Sequence, residues 1–330
     1  VAASIAILVR VDLDDVLRAF GDARYEWLVT ASAVSFLTMA IRAERWRLIC
    51  QPVPVSFSRS FGVLSVGASL SSLLPLRLGD LARVYLIGDL ERRSKAWAFA
   101  TLVFERVLDI LVLLAIIVLL LPFVSLPGWA AESAWIAAAL AAAGVVAIVA
   151  AWFGRSLIEQ RAASLGRFLP GAVASRLRPL IKPSVDGLAV LGEPWPLLRA
   201  VWWSAILWAA TGVIMWSTLV AFGVDASPSL AMLLVIVSAI TVAVPLSPSA
   251  VGVFHAAIVQ VLIVAAPVDS SVAASVAITS HALLFAPPVI CGLAAVWLMP
   301  EITSRLTMWQ ARPREIVAIT NVPGESGLSG

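Results

Sequence analysis

The residues best placed to do chemistry in this 330-residue chain lie in "FERVLDI", inside an apolar run from Ala96 to Leu121. Glu105 and Asp109 stand four apart, on one face of a helix, and Arg106 is three from Asp109, so the three side chains meet if the segment is helical. As a membrane-crossing helix, the run would put Glu105 about 14 Å from its start, near mid-depth. Each such charge costs about 2.5 to 3.5 kcal/mol at the centre of a membrane helix, so all three must be paired or hydrated. Partners are at hand in "SSLLPLRLGDLARV", Ser71 to Val84, which supplies Arg77, Asp80 and Arg83. The six formal charges sum to zero, as one buried network joining the two segments requires. Two readings stay open: a structural ion-pair lock, or a site whose cationic side receives a phosphate or other anionic headgroup, for which Arg offers a bidentate match.

Other candidates are weaker. Ser247 and Ser249, in "PLSPSAVG", look superficially like nucleophiles, but no His and acid are set beside them by sequence. Hydrogen bonding to loose backbone is their expected role. His255 reads either as a proton-linked switch or as an ordinary interior residue, and His281, in "TSHALLF", as packing. Cys50 and Cys291 sit in apolar context without metal-ligand spacing and read as inert buried thiols. With no Gly-rich phosphate loop, no metal-ligand cluster and no room for a soluble catalytic domain, neither a cofactor nor a metal is expected.

The elements that must position these residues are membrane helices. The chain is 61% hydrophobic and 13% charged, with mean hydropathy +0.99, whereas an ordinary soluble domain is about 25% charged. Thirteen Trp against two Tyr suits anchoring at the membrane interface. The net charge of +3 records which loops face the cytoplasm and gives no reason to expect nucleic acid. Val1 to Val9 is too short to cross, and because the first residue is not Met the rest of that span is expected upstream, a removed signal peptide being the alternative. Arg10 to Glu26 is polar and slightly acidic. Spans are expected at Trp27 to Ile41, closing on the basic cluster Arg42, Arg45 and Arg47, and at Ala96 to Leu121, Ala134 to Phe153, Val201 to Phe222 and Ser271 to Met299, the last kinked at Pro287 and Pro288.

Two regions are broken by proline and glycine. The arms Phe57 to Leu74 and Leu78 to Ile87 flank Pro75 and Gly79, and the arms Leu230 to Val244 and Val253 to Ala266 flank Pro245, Pro248 and Gly252. Broken backbone survives in lipid only inside protein or beside a water-filled cavity. Arg155 to Arg199 interleaves bases with apolar residues, as in a cytoplasmic connector lying on an anionic membrane face, an ordinary solvated connector being the alternative. With that connector and the tail 301–330 cytoplasmic, each broken region must leave and return on one side. Two full spans would also do this, but the arm Leu78 to Ile87 is only about 15 Å long as a helix, so the expected fold is all-α, a polytopic integral membrane helical bundle with two re-entrant hairpins entering from opposite faces. A short pairing of "LLPLRLGD" with "AVPLSPSAVG" suggests an inverted repeat. Residues 1–300 form a single transmembrane domain, and the tail ends in a small-residue segment expected to be disordered.

"RAERWRLI" at Arg42 to Ile49, "LLPLRLGDLARVYLI" at Leu73 to Ile87, "FERVLDIL" at Phe104 to Leu111 and "PLSPSAVGVFHAAIV" at Pro245 to Val259 resemble, in order and spacing, the flippase-like transmembrane domain named after lysylphosphatidylglycerol synthase. The resemblance covers essentially the whole chain. It implies a multi-pass protein of the inner membrane of a prokaryote that moves polar-headgroup lipids between leaflets. Family members include the translocating half of the multiple peptide resistance factor, relatives associated with hopanoid transport, and domains fused to glycosyltransferases. By position, the family's proline, glycine, acidic and arginine motif falls on Pro75, Gly79, Asp80 and Arg83, its intramembrane acid, arginine and aspartate on Glu105, Arg106 and Asp109, and its second loop on Pro245, Pro248 and Gly252. The chain departs from the family at His255, where members often carry Glu. The site expected to meet substrate is Arg77, Asp80, Arg83, Glu105, Arg106, Asp109, Ser247, Ser249 and His255. Expected partners are membrane lipids with anionic or amino-modified headgroups, a second copy of the chain, and a separate lipid-synthesising enzyme. A membrane enzyme acting on lipid or polyprenyl headgroups, and an ion-coupled solute transporter, are the alternatives.

Overall fold

The computed structural model describes residues 13–74, 77–120, 182–243, 248–266 and 268–311, with isolated positions between 139 and 180. Pro75, Pro245 and Ser247, most of the expected span 134–153, most of the connector 155–199 and the end of the tail lie outside the described residues. Among the described residues, the regular elements are helices throughout. They are α1 (Leu13–Gly21), α2 (Tyr25–Ile49), α3 (Phe57–Leu73), α4 (Leu78–Leu90), α5 (Lys95–Leu120), α6 (Pro194–Ala221), α7 (Pro228–Ala243), α8 (Val253–Ala265), α9 (Ser270–Leu298) and α10 (Pro300–Ala311).

Length sorts these helices into two kinds. α2, α5, α6 and α9 have 25, 26, 28 and 29 residues, more than the 20 or so that a hydrocarbon layer of about 30 Å demands. α6 and α9 are also apolar enough to cross a membrane by composition. α2 and α5 are long enough but carry ionised residues in their interiors: Arg42 and Arg45 in α2, and Glu105, Arg106 and Asp109 in α5. Of the six shorter helices, four occur as two pairs, α3 with α4 (17 and 13 residues) and α7 with α8 (16 and 13 residues), each pair joined across one of the expected breaks.

Two boundaries differ from the sequence reading. α2 does not stop at Ile41; it runs on to Ile49, because "RAERWRLI" contains good helix formers and no breaker precedes Pro52. Arg45 is therefore a buried helical residue and not part of a basic cluster that closes the span, while Arg47 pairs with Glu44 at 2.7 Å near the surface. The segment read as merely polar contains α1, whose Asp14 and Asp15 favour its N-terminal turn. Its inner face buries Val16 and sets Phe20 edge-on to Phe222 with centroids 5.2 Å apart. α9 continues through Pro287 and Pro288 without ending, and α10, at the start of the tail, buries Ile302 completely.

Small residues let the helices of the first broken pair approach closely. A Cβ on Gly79 of α4 would stand 1.8 Å from the Gly67 carbonyl oxygen of α3, and one on Gly67 would stand 2.1 Å from Cγ of Arg83. Gly292 of α9 serves the same end, since a Cβ there would meet Ser69 Cβ at 2.4 Å. Ser56 caps α3 by accepting a hydrogen bond from the Arg59 N–H, and Arg59 ties the other ends of the elements together by pairing with Glu91 at 2.9 Å and Glu301 of α10 at 3.3 Å. Large apolar side chains cover the outside, Trp297 being 83% exposed and Val264 74%. A surface of this kind is what lipid, and not water, would cover.

Candidate functional site

Among the described residues, the most buried charged group is the Arg45 guanidinium, 0% exposed on α2. It donates to Glu105 Oε1 at 3.0 Å, to Asp109 Oδ1 at 2.5 Å and to the Ser204 hydroxyl of α6 at 3.3 Å. Glu105 in turn accepts from Arg83 of α4 at 2.7 Å on its other oxygen, and the Arg83 guanidinium lies 4.2 Å from the centroid of the Trp46 ring. One carboxylate thus bridges two guanidiniums, and each guanidinium is also held by a second group, a carboxylate for Arg45 and an aromatic face for Arg83. Buried charges are tolerated only when paired and hydrogen-bonded in this way.

A second, shallower layer lies outside the first. Arg106 donates to both oxygens of Asp80, at 3.1 and 3.3 Å, and approaches Asp109 at 3.6 Å. Arg77 reaches Asp80 at 3.7 Å. Arg77 and Arg106 are 34% and 33% exposed, against 2% for Glu105, so the cluster grades from accessible to sealed.

This outer layer faces a cavity of about 330 Å³ whose walls come from α2, α3, α4, α5, α6, α7 and α9. Arg42, Arg77, Asp80, Arg83, Glu105, Arg106 and Asp109 contribute to it, with Ser71 and Thr211 among its uncharged polar residues. Both breaks reach it: Arg77 and Ser249 line the cavity and hold left-handed backbone at φ 54° and 51°. Left-handed backbone costs a residue with a Cβ about 1 to 2 kcal/mol, and such strain concentrates at functional sites. The two breaks are joined directly by the Ser249 hydroxyl, which donates to the Ser72 carbonyl at 2.6 Å.

The sequence-predicted residues separate accordingly. Arg77, Asp80, Arg83, Glu105, Arg106 and Asp109 come together as one network, and Ser249 meets the same cavity. Gly79 acts at the α3–α4 contact, and Gly252 begins α8 at φ 87°. His255 is not among the cavity's lining residues. Its ring lies 4.7 Å from that of His281, which stacks on Phe285 at 4.4 Å and donates through Nε2 to the Ser249 carbonyl at 2.9 Å. The imidazole pair therefore backs the second break.

Sequence reasoning missed Arg45 and Arg42, and with them the charge balance. With those two included, five arginines face three carboxylates, leaving two positive charges in excess instead of none. The available signal was the spacing of Arg42 and Arg45, which a continued α2 puts on neighbouring positions of one face.

Comparison with known proteins agrees with the residue pattern. The family described as "Lysylphosphatidylglycerol synthase TM region" matches residues 1–292. The chain is 24% identical over 323 residues to the glycosyltransferase AglD of Haloferax volcanii, in a match that covers 87% of this chain and 51% of that protein. It therefore spans about half the length of that relative. It is 25% identical over 320 residues to a UPF0104 membrane protein of Methanothermobacter thermautotrophicus, covering 89% of this chain and 91% of the relative. A UPF0104 membrane protein of Methanocaldococcus jannaschii is 28% identical over 109 residues, 32% of each chain. No solved structure matches. A helical membrane protein with this cluster between its broken helices, matched over most of its length, belongs to the lysylphosphatidylglycerol synthase transmembrane-region family.

Proposed function

We propose that this protein moves polar-headgroup lipids between the leaflets of the prokaryotic cell membrane, the headgroup resting in the cavity while the acyl chains stay in the bilayer. The observation that carries this reading is the cavity itself: a net-positive chamber with seven ionised side chains in its wall, reached by two helix breaks inside a protein with an apolar exterior. Keeping the headgroup in a polar chamber avoids most of the cost of taking a charge through hydrocarbon. α3 and α4 are about 25 and 20 Å long, shorter than the hydrocarbon layer, which supports re-entrant hairpins over two full spans for that pair. In this reading α7 and α8 form the opposing hairpin, the two making an inverted repeat, and the basic segment 155–199 and the tail after Met299 face the cytoplasm.

A leaflet-selective assay of fluorescent-headgroup lipids in proteoliposomes tests the reading. Wild type should speed exchange over protein-free vesicles. Ala239→Trp, which fills the cavity from α7, should abolish that gain while unfolding at the wild-type temperature. Equal exchange by the two proteins would overturn the reading. A membrane enzyme acting on lipid headgroups is the second reading, favoured by the name of the Haloferax relative; conversion of a lipid donor to a new product, without exchange, would select it.

A further inference from the structure

The cluster does not treat its charges alike. All three carboxylates are engaged by arginine: Glu105 by Arg45 and Arg83, Asp109 by Arg45, and Asp80 by Arg106. On the cationic side, two groups are left over. Arg42 lines the cavity and makes no ion pair or hydrogen bond among the described residues. Arg77 lines it too, reaches Asp80 only at 3.7 Å, makes no hydrogen bond among the described residues, and is held there by strained backbone at φ 54°. These two guanidiniums are donors still waiting for acceptor oxygens.

We infer that the cavity selects lipids whose headgroup carries two negative charges on phosphate, a phosphomonoester or a diphosphate, and disfavours cationic aminoacylated headgroups. This rests on reading the cavity as a headgroup chamber and names its substrate class. A doubly charged phosphate neutralises the excess that the protein leaves on Arg42 and Arg77, with guanidinium geometry suited to phosphate oxygens. A singly charged phosphodiester neutralises half of it. An amino-modified headgroup brings a positive charge into a chamber that already has an excess and finds each carboxylate occupied by arginine.

The test uses the full chain in nanodiscs in phosphate-free buffer. Binding is measured for dioctanoyl phosphatidic acid, farnesyl diphosphate, dioctanoyl phosphatidylglycerol, lysyl-phosphatidylglycerol and inorganic phosphate. The doubly charged lipids should bind about tenfold or more tightly than phosphatidylglycerol, the size expected for one added charge-assisted contact. Lysyl-phosphatidylglycerol should bind more weakly still. Arg42→Gln and Arg77→Gln should each remove most of the preference, and Arg42→Lys and Arg77→Lys should keep most of it. Equal or tighter binding of lysyl-phosphatidylglycerol overturns the inference using wild-type protein alone, whatever the variants do. Inorganic phosphate binding as tightly as phosphatidic acid also overturns it, since the acyl chains would then contribute nothing. If vesicle exchange proceeds for all lipids with no preference for doubly charged ones, this inference falls and translocation stands; if no lipid binds or exchanges, both fall.

Discussion

Glu105 is held from two sides, and this makes its neighbours unequal. Removing Arg45 leaves Glu105 with one guanidinium and Asp109 with the 3.6 Å approach of Arg106, both in a buried setting. Breaking one side of a buried ion pair costs about 3 to 5 kcal/mol, so Arg45→Met should lower the unfolding midpoint in detergent sharply. Arg42, with no ion pair among the described residues, has no such bond to lose. Arg42→Met should leave the midpoint within about 1 kcal/mol of wild type or raise it, because it takes an unpaired charge out of a partly buried place. Adding Glu105→Gln to Arg45→Met should recover part of the loss, and a double-mutant cycle should show the two positions coupled by more than about 0.5 kcal/mol. Additive effects would mean that the pair does not act as one unit.

At the scale of elements, the network works because α3 and α4 touch closely enough to carry Arg83 to α5. Gly79 and Gly67 make that contact, with no room for a methyl group on either. Gly79→Ala should force the hairpin apart, destabilise the protein by about 1 to 3 kcal/mol as overpacking does, and abolish lipid exchange. Gly223 is the control, since it holds φ 70° with nothing within 4 Å of its missing Cβ. Gly223→Ala should cost about 1 to 2 kcal/mol through backbone strain alone and leave exchange intact. The second break is fastened to the first by Ser249 and Ser72. Ser249→Ala should therefore cost only about 1 kcal/mol of stability, yet alter the exchange rate, because it frees the two breaks from each other. An unchanged rate would show that the link is only structural.

For the whole molecule, the excess positive charge should be felt as a field. A cysteine at Ala239, on the cavity wall, introduced together with Cys291→Ser to remove the partly exposed native thiol, should react several-fold faster with an anionic than with a cationic thiosulfonate. A low-dielectric cleft of one sign concentrates counter-ions in this way, and salt should bring the two rates together. Native Cys50 is buried and should stay unlabelled in folded protein. Equal rates for the two reagents at low salt would contradict the charge balance.

Much of this was written locally. Apolar runs, with Pro75, Pro248 and Gly252 between them, mark where helices form and where they break, because backbone hydrogen bonding and side-chain sterics act over a few residues. The spacing of Glu105, Arg106 and Asp109 likewise fixed a charged face on α5 and the need for buried partners. The identity of those partners was a tertiary matter. Arg45 lies 60 residues from Glu105 and 64 from Asp109, and nothing local distinguishes it from Arg47, which turns outward to Glu44. Which face of α2 points inward is decided by how the helix rotates against α5 and α6, and that rotation turned a balanced set of six charges into a chamber with two positive charges to spare.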